Sequence, residues 1–152
     1  MERAITSDVA MQAFGYKLGR LLHGGEVIEL VGDLGAGKTT LVRGIADGLE
    51  IDEDVQSPSF TLSRHYEGRD GINLHHYDFY RLDDPGVVAG ELAESAQDPK
   101  VVTIIEWAET VDFALPRTRM IISLGHLADE NHRQLKLDLP ASYQHLNSLV
   151  LK

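Results

Sequence analysis

Gly32-Asp33-Leu34-Gly35-Ala36-Gly37-Lys38-Thr39 is the stretch on which the reading of this chain turns. It matches the pattern G-x-x-x-x-G-K-[ST] without gaps. Such a turn draws backbone N–H groups together around an anion, and it needs glycine where the chain comes close or takes positive φ. A helix starting at its end adds a positive dipole. Lys38 then bridges the β- and γ-phosphates of a nucleoside triphosphate, and the Thr39 hydroxyl, followed by Thr40, faces magnesium. A glycine turn with an incidental lysine is the competing reading, and the neighbours argue against it. Val27 to Val31 reads as a short strand leading in, and Leu41, Val42, Ile45 and Leu49 mark one face of a helix leading out.

Working outward, Thr6, Ser7 and Asp8 offer helix N-caps ahead of Val9, Ala13, Phe14, Leu18, Leu21 and Leu22 at helical spacing, and Gly24-Gly25 closes that segment. Phe60 to Tyr66 and Ile72 to Phe79 are strand-like runs around Glu67-Gly68-Arg69-Asp70-Gly71, which predicts an antiparallel hairpin. Asp83, Asp84 and Pro85 predict the start of another helix. Val101 to Ile105 is almost continuously apolar, as a strand buried on both faces should be. Arg119 to His126 and Arg133 to Leu139 form a closing hairpin around Ala128-Asp129-Glu130-Asn131. The sum is an α/β fold with a sheet parallel at its centre and antiparallel at its flanks, helices on both faces, and one domain over residues 1–152.

Composition narrows the function. The 152 residues are 43% hydrophobic and 25% charged, ordinary for a globular chain. No run approaches the roughly 18 apolar residues of a membrane span. The N-terminus lacks a basic start followed by an apolar stretch, so a cytoplasmic location is expected. With no cysteine there are no disulfides, thiolate nucleophiles or cysteine–zinc sites. The formal charge of −10 disfavours sequence-independent grip on nucleic acid, so any contact with RNA is expected to run through a partner.

Two acidic residues are candidates for the metal side of the loop. Glu106 follows the apolar run 101–105 and, at a strand end, suits magnesium directly or through water. Asp78 lies in Leu74-His75-His76-Tyr77-Asp78-Phe79-Tyr80-Arg81, where alternation puts His76, Asp78 and Tyr80 on one face and His75, Tyr77 and Phe79 on the other. The two histidines point apart and make a poor chelate. Asp78 either orients an attacking water or supports the magnesium shell. Ser57-Pro58-Ser59-Phe60-Thr61 is placed where a γ-phosphate-sensing loop belongs, and a plain turn accounts for it nearly as well. Trp107 reads more simply as a core residue than as a site residue.

Taken together, Gly32–Thr40 (GDLGAGKTT), Ser57–Leu62 (SPSFTL), His76–Leu82 (HYDFYRL) and Ile104–Glu109 (IIEWAE) resemble the bacterial TsaE family. These are the ATPase components of tRNA threonylcarbamoyladenosine synthesis. The P-loop alone is generic, whereas the histidine–aspartate–tyrosine–arginine strand followed by Ile-Glu-Trp is much more specific. The resemblance implies ATP hydrolysis with Thr39 and Glu106 on magnesium, Lys38 on the phosphates and Asp78 important for turnover. It also implies that Thr6 approaches the adenine and that Glu109 and Arg133 approach the nucleotide. Its partners are TsaD-like and TsaB-like subunits, with tRNA reached through that complex. Ser59 stands where threonine is more usual, and Gly86 to Lys100 departs from the family's pattern.

Two alternatives remain beside this. A small-molecule kinase commonly carries lid arginines, and none occurs from Leu82 to Pro116. A nucleotide-gated assembly switch with little turnover fits the absence of an obvious arginine finger. Without an N-K-x-D-type segment, adenine is favoured over guanine.

Overall fold

Seven strands in the order β1-β7-β6-β2-β5-β4-β3 make up the sheet of the computed structural model. It describes residues 1–33, 35–58, 62–80, 84, 86–128 and 132–150. Expectations placed on Leu34, Ser59, Phe60, Thr61, Arg81, Leu82, Asp83, Pro85, Asp129, Glu130 and Asn131 lie outside the described residues. The strands are β1 (Glu2–Ile5), β2 (Val27–Val31), β3 (Ser63–Glu67), β4 (Asn73–Asp78), β5 (Val101–Glu106), β6 (Met120–His126) and β7 (Arg133–Asp138). The helices are α1 (Asp8–Leu21), α2 (Lys38–Gly48) and α3 (Val88–Gln97).

The centre, β6-β2-β5-β4, is parallel, and both flanks turn antiparallel through β7 with β1 and through β3. Every residue of β5 is buried. Its β-branched run suits a strand hydrogen-bonded on both edges and covered on both faces. On one face, α1 and α2 close a core containing Phe14, Leu18, Leu41, Ile45, Ile28 and Ile104. On the other, α3 and the 3-10 turn Ala108–Ala114 cover Tyr77, Phe79, Ile105, Leu92 and Val111.

Ser7 caps α1: its Oγ accepts the N–H of Ala10 at 3.0 Å. From there α1 runs against α2 with almost no side chain between the backbones. A Cβ on Gly15 would stand 2.5 Å from the Leu41 carbonyl oxygen, and one on Gly44 2.3 Å from that of Gln12. Gly19 and Gly48 repeat the arrangement one turn on, so the spacing of this helix pair is set by four missing methyl groups.

Two boundaries differ from the sequence reading. The edge strand β1 was not anticipated, because four residues alternating exposed and buried carry little pattern until β7 supplies a partner. Among the described residues the third helix starts at Val88, and Asp84 before it uses its Oδ1 to accept the Gly86 N–H at 3.0 Å. A short acidic side chain there binds a turn rather than a helix end.

Candidate functional site

The glycine-rich loop leaves β2 at its carboxyl end and enters α2 through Gly37, whose φ of 102° is left-handed and open to glycine without strain. Lys38 opens the helix. The central strands are parallel, so the carboxyl ends of β5 and β4 arrive beside the loop, the usual place for a ligand in such sheets. Register places Glu106 between Leu30 of β2 and Asp78 of β4.

Lys38, Asp78 and Glu106 line one cleft of about 340 Å³, together with Asp8, Gly35, Gly37, Thr39, Thr40, Ser57 and Arg133. Its floor is charged and buried. Lys38 is 6% exposed, and Asp78 and Glu106 are each 5% exposed. The Lys38 ammonium donates to the Gly32 carbonyl at 2.6 Å and stands 3.5 Å from Glu106 Oε1. Glu106 Oε2 accepts from His76 Nε2 at 2.6 Å. Burial opposes ionisation of Glu106 most strongly, but the hydrogen bond and charge of His76, joined by Lys38, hold the carboxyl below its usual range. With the carboxylate ionised, His76 Nε2 is the donor. The buried His76 Nδ1 has no hydrogen-bond partner among the described residues.

Asp78 is fixed from two sides. Its Oδ1 accepts the Tyr80 N–H at 3.0 Å, and its own N–H donates to the Leu62 carbonyl at 2.9 Å. Trp107 packs half-buried against the core cluster beneath α3, as expected of a core residue, and it also reaches Lys38. It takes a left-handed φ of 58°, packs on Tyr80 with ring centroids 4.7 Å apart, and sets its indole 4.4 Å from the Lys38 ammonium.

Of the residues named from sequence, Gly35, Gly37, Lys38, Thr39, Thr40, Asp78, Glu106 and Arg133 meet in this cleft. Arg133 donates to the Gly35 carbonyl at 3.3 Å, tying β7 to the loop. Thr6 lines an adjoining hollow with Ser7, Asp8 and Arg133. Glu109 lies elsewhere, with Gly32, Asp33 and Trp107 around a separate hollow behind the loop. Ala36 is buried in the core beneath the loop. His76 was missed as a site residue, although its shared face with Asp78 was the signal that could have found it.

The donor set can be tested against a magnesium ion on its chemistry. A threonine hydroxyl and two carboxylates are hard oxygen ligands, and no sulfur or imidazole nitrogen lines the cleft among the described residues, so the set fits.

Comparison with known proteins bears on this geometry directly. The family model described as "Threonylcarbamoyl adenosine biosynthesis protein TsaE" matches residues 5–135, which span the loop, both carboxylates and Arg133. The chain belongs to the TsaE family. It is 43% identical over 118 residues to the "tRNA threonylcarbamoyladenosine biosynthesis protein TsaE" of Treponema pallidum, covering 78% of this chain and 86% of that one. To the protein of the same description from Nostoc it is 42% identical over 127 residues, covering 81% and 76%. The crystal structure of Bacillus subtilis YdiB superposes with a TM-score of 0.79 at 27% identity, covering 99% of this chain and 93% of that one. The TsaE architecture is thus the P-loop fold expected from the loop and the strand pattern.

Proposed function

We propose that this chain is the magnesium-dependent ATPase of a cytoplasmic tRNA threonylcarbamoyladenosine-modifying machinery, acting as one domain over residues 1–152. In this reading it hydrolyses ATP to support turnover of TsaD-like and TsaB-like subunits, and it meets tRNA only through them. The observation that carries the reading is the placement of Lys38, Thr39, Asp78 and Glu106 around one buried, charged cleft at the carboxyl ends of parallel strands.

The roles follow from position. Loop N–H groups from Gly32 to Thr40 and the amino end of α2 receive the phosphates. Lys38 exchanges its contact with the Gly32 carbonyl for the β- and γ-phosphates. Thr39 and Glu106 would hold magnesium, which when bound would neutralise charge on those phosphates. His76 keeps Glu106 ionised and aimed. Asp78, clamped by the Tyr80 N–H, accepts a proton from the attacking water or orients it. Thr6 and Arg133 border the nucleotide from the adjoining hollow, whereas Glu109, in the hollow on the other side of the loop, does not line the phosphate cleft. Arg133 already spends a guanidinium hydrogen bond on Gly35. Slow hydrolysis alone and faster turnover with partners is therefore expected.

The test is steady-state ATP hydrolysis with magnesium, alone and with purified TsaD–TsaB, comparing wild type with Asp78→Ala. Partner-stimulated turnover that disappears in the variant supports the reading. Tight ATP binding without turnover in either condition makes the chain a nucleotide-gated assembly factor instead, and acceleration by a phosphate-accepting metabolite makes it a kinase.

A further inference from the structure

A second group of metal-ligating side chains lies where α1 turns into β2, away from the residues of the nucleotide cleft. His23, Glu26 and His145 each offer one ligand atom, and the three atoms lie within 4.8 Å of one another. Glu26 is 1% exposed, which is costly for a carboxylate unless its lone pairs are filled. Its Oε1 accepts the Gly24 N–H at 2.8 Å, and its Oε2 accepts the His23 N–H at 3.0 Å and His145 Nε2 at 2.7 Å. The two backbone N–H bonds orient the carboxylate, as partners of a ligating carboxylate do, while the His145 bond is the one a metal ion would replace, with release of its proton.

The His23 side chain is the unexplained member. Its Nδ1 stands 3.5 Å from Glu26 Oε2 and 3.4 Å from the Gly24 carbonyl, long for a hydrogen bond in either case. Its ring nevertheless stacks on His145, centroids 3.8 Å apart and planes 29° from parallel. Ligand atoms around a tetrahedral zinc ion stand about 3.4 Å apart. The His23–Glu26 separation already has that value. The His145–Glu26 separation needs to widen by only about 0.7 Å.

We infer that His23, Glu26 and His145 form a three-ligand site for a borderline divalent cation of the zinc class, with a water completing the shell. Two imidazoles and one carboxylate select zinc, cobalt or nickel over magnesium, which prefers oxygen alone. The 29° tilt does not bring both ring planes onto one point, so His23 has to turn. With 65% of its side chain exposed, it turns at the cost of part of its stacking on His145. The ion would clamp the 3-10 turn Gln144–Leu149 onto the start of β2. Tyr143 Oη already accepts the Val27 N–H there at 2.9 Å, and Leu146 and Leu149 are buried. The inference is independent of the ATPase reading.

Cobalt(II) is the probe, titrated into tag-free wild-type protein in the presence of excess magnesium, which keeps the nucleotide cleft out of the measurement. The expected result is one cobalt per chain with the visible absorption of a tetrahedral or five-coordinate ion. Zinc should displace it, and melting should rise by about 5–10 °C at a hundredfold excess over Kd. His145→Ala and Glu26→Gln should abolish binding. If either fails to fold, His23→Ala, a change at an exposed side chain, still decides the matter with at least a tenfold loss of affinity. No saturable cobalt binding to the wild type, or equal affinity in His23→Ala, overturns the site and leaves the cluster a hydrogen-bonded turn.

Discussion

Asp78 and Glu106 are register partners, side by side at the carboxyl ends of neighbouring parallel strands, yet they are held by different groups. Glu106 is bound to the side chains of His76 and Lys38, and Asp78 Oδ1 to the backbone N–H of Tyr80. Two buried carboxylates at adjacent positions can thus carry separate tasks, because each has its own compensation.

Asp78→Asn keeps the shape and the acceptor for Tyr80 but removes the negative charge. Turnover with partners present should fall by about 10²–10⁴-fold, while ATP affinity by calorimetry stays near that of the wild type. A parallel loss of affinity would assign Asp78 to binding rather than to the chemical step.

His76→Ala takes away the shortest hydrogen bond on Glu106 and leaves its buried charge with Lys38 alone. Stability should drop by about 1.5–3 kcal/mol in urea unfolding, the range for hydrogen bonds to charged groups. Glu106 should also titrate at higher pH, read by its side-chain carboxyl resonance. An unchanged midpoint would mean that the cleft rearranges to satisfy Glu106 another way.

His75 provides a pH dependence away from the cleft. Burial, with His65 stacked on it at 3.8 Å, lowers it from 6.5 to about 4. The fold holds its ring neutral, whereas the unfolded chain takes up a proton below 6.5. Its contribution is whole above pH 6.5 and is lost as pH falls from 6.5 through about 4. Denaturation midpoints between pH 4 and 7 should fall less steeply in His75→Gln, which can keep a hydrogen bond to Ser95 (3.0 Å in the wild type). Equal slopes would place the acid sensitivity elsewhere.

Gly44→Ala should cost about 1–3 kcal/mol or more, because the new methyl meets the Gln12 carbonyl at 2.3 Å across the helix pair. Gly90, inside α3, has nothing within 4 Å of its Cβ position. Gly90→Ala should therefore gain up to about 1 kcal/mol from helix propensity. Thermal melts of the two variants give opposite signs if the α1–α2 spacing is what the glycines protect.

Most of the site was legible because it is local in sequence. The loop pattern, the apolar run ending at Glu106 and the alternation around Asp78 each lie within ten residues. Both hairpin pairings were legible, and among the described residues β3 begins at Ser63. Long-range relationships left no comparable trace. Gly15 faces Gly44 over 29 positions, His76 reaches Glu106 over 30, and Glu26 meets His145 over 119. The short strand β1 became visible only beside β7, and the contact of Trp107 with Lys38, 69 positions away in sequence, had no local signal.

Trp107 is the single tryptophan of the chain, and its indole stands 4.4 Å from the Lys38 ammonium. Its emission is therefore uncontaminated by any other indole and sits in the field of the Lys38 ammonium. If Lys38 moves toward phosphate, as the proposed function has it, that field changes. The chain would then carry an optical gauge of that site, readable without a label.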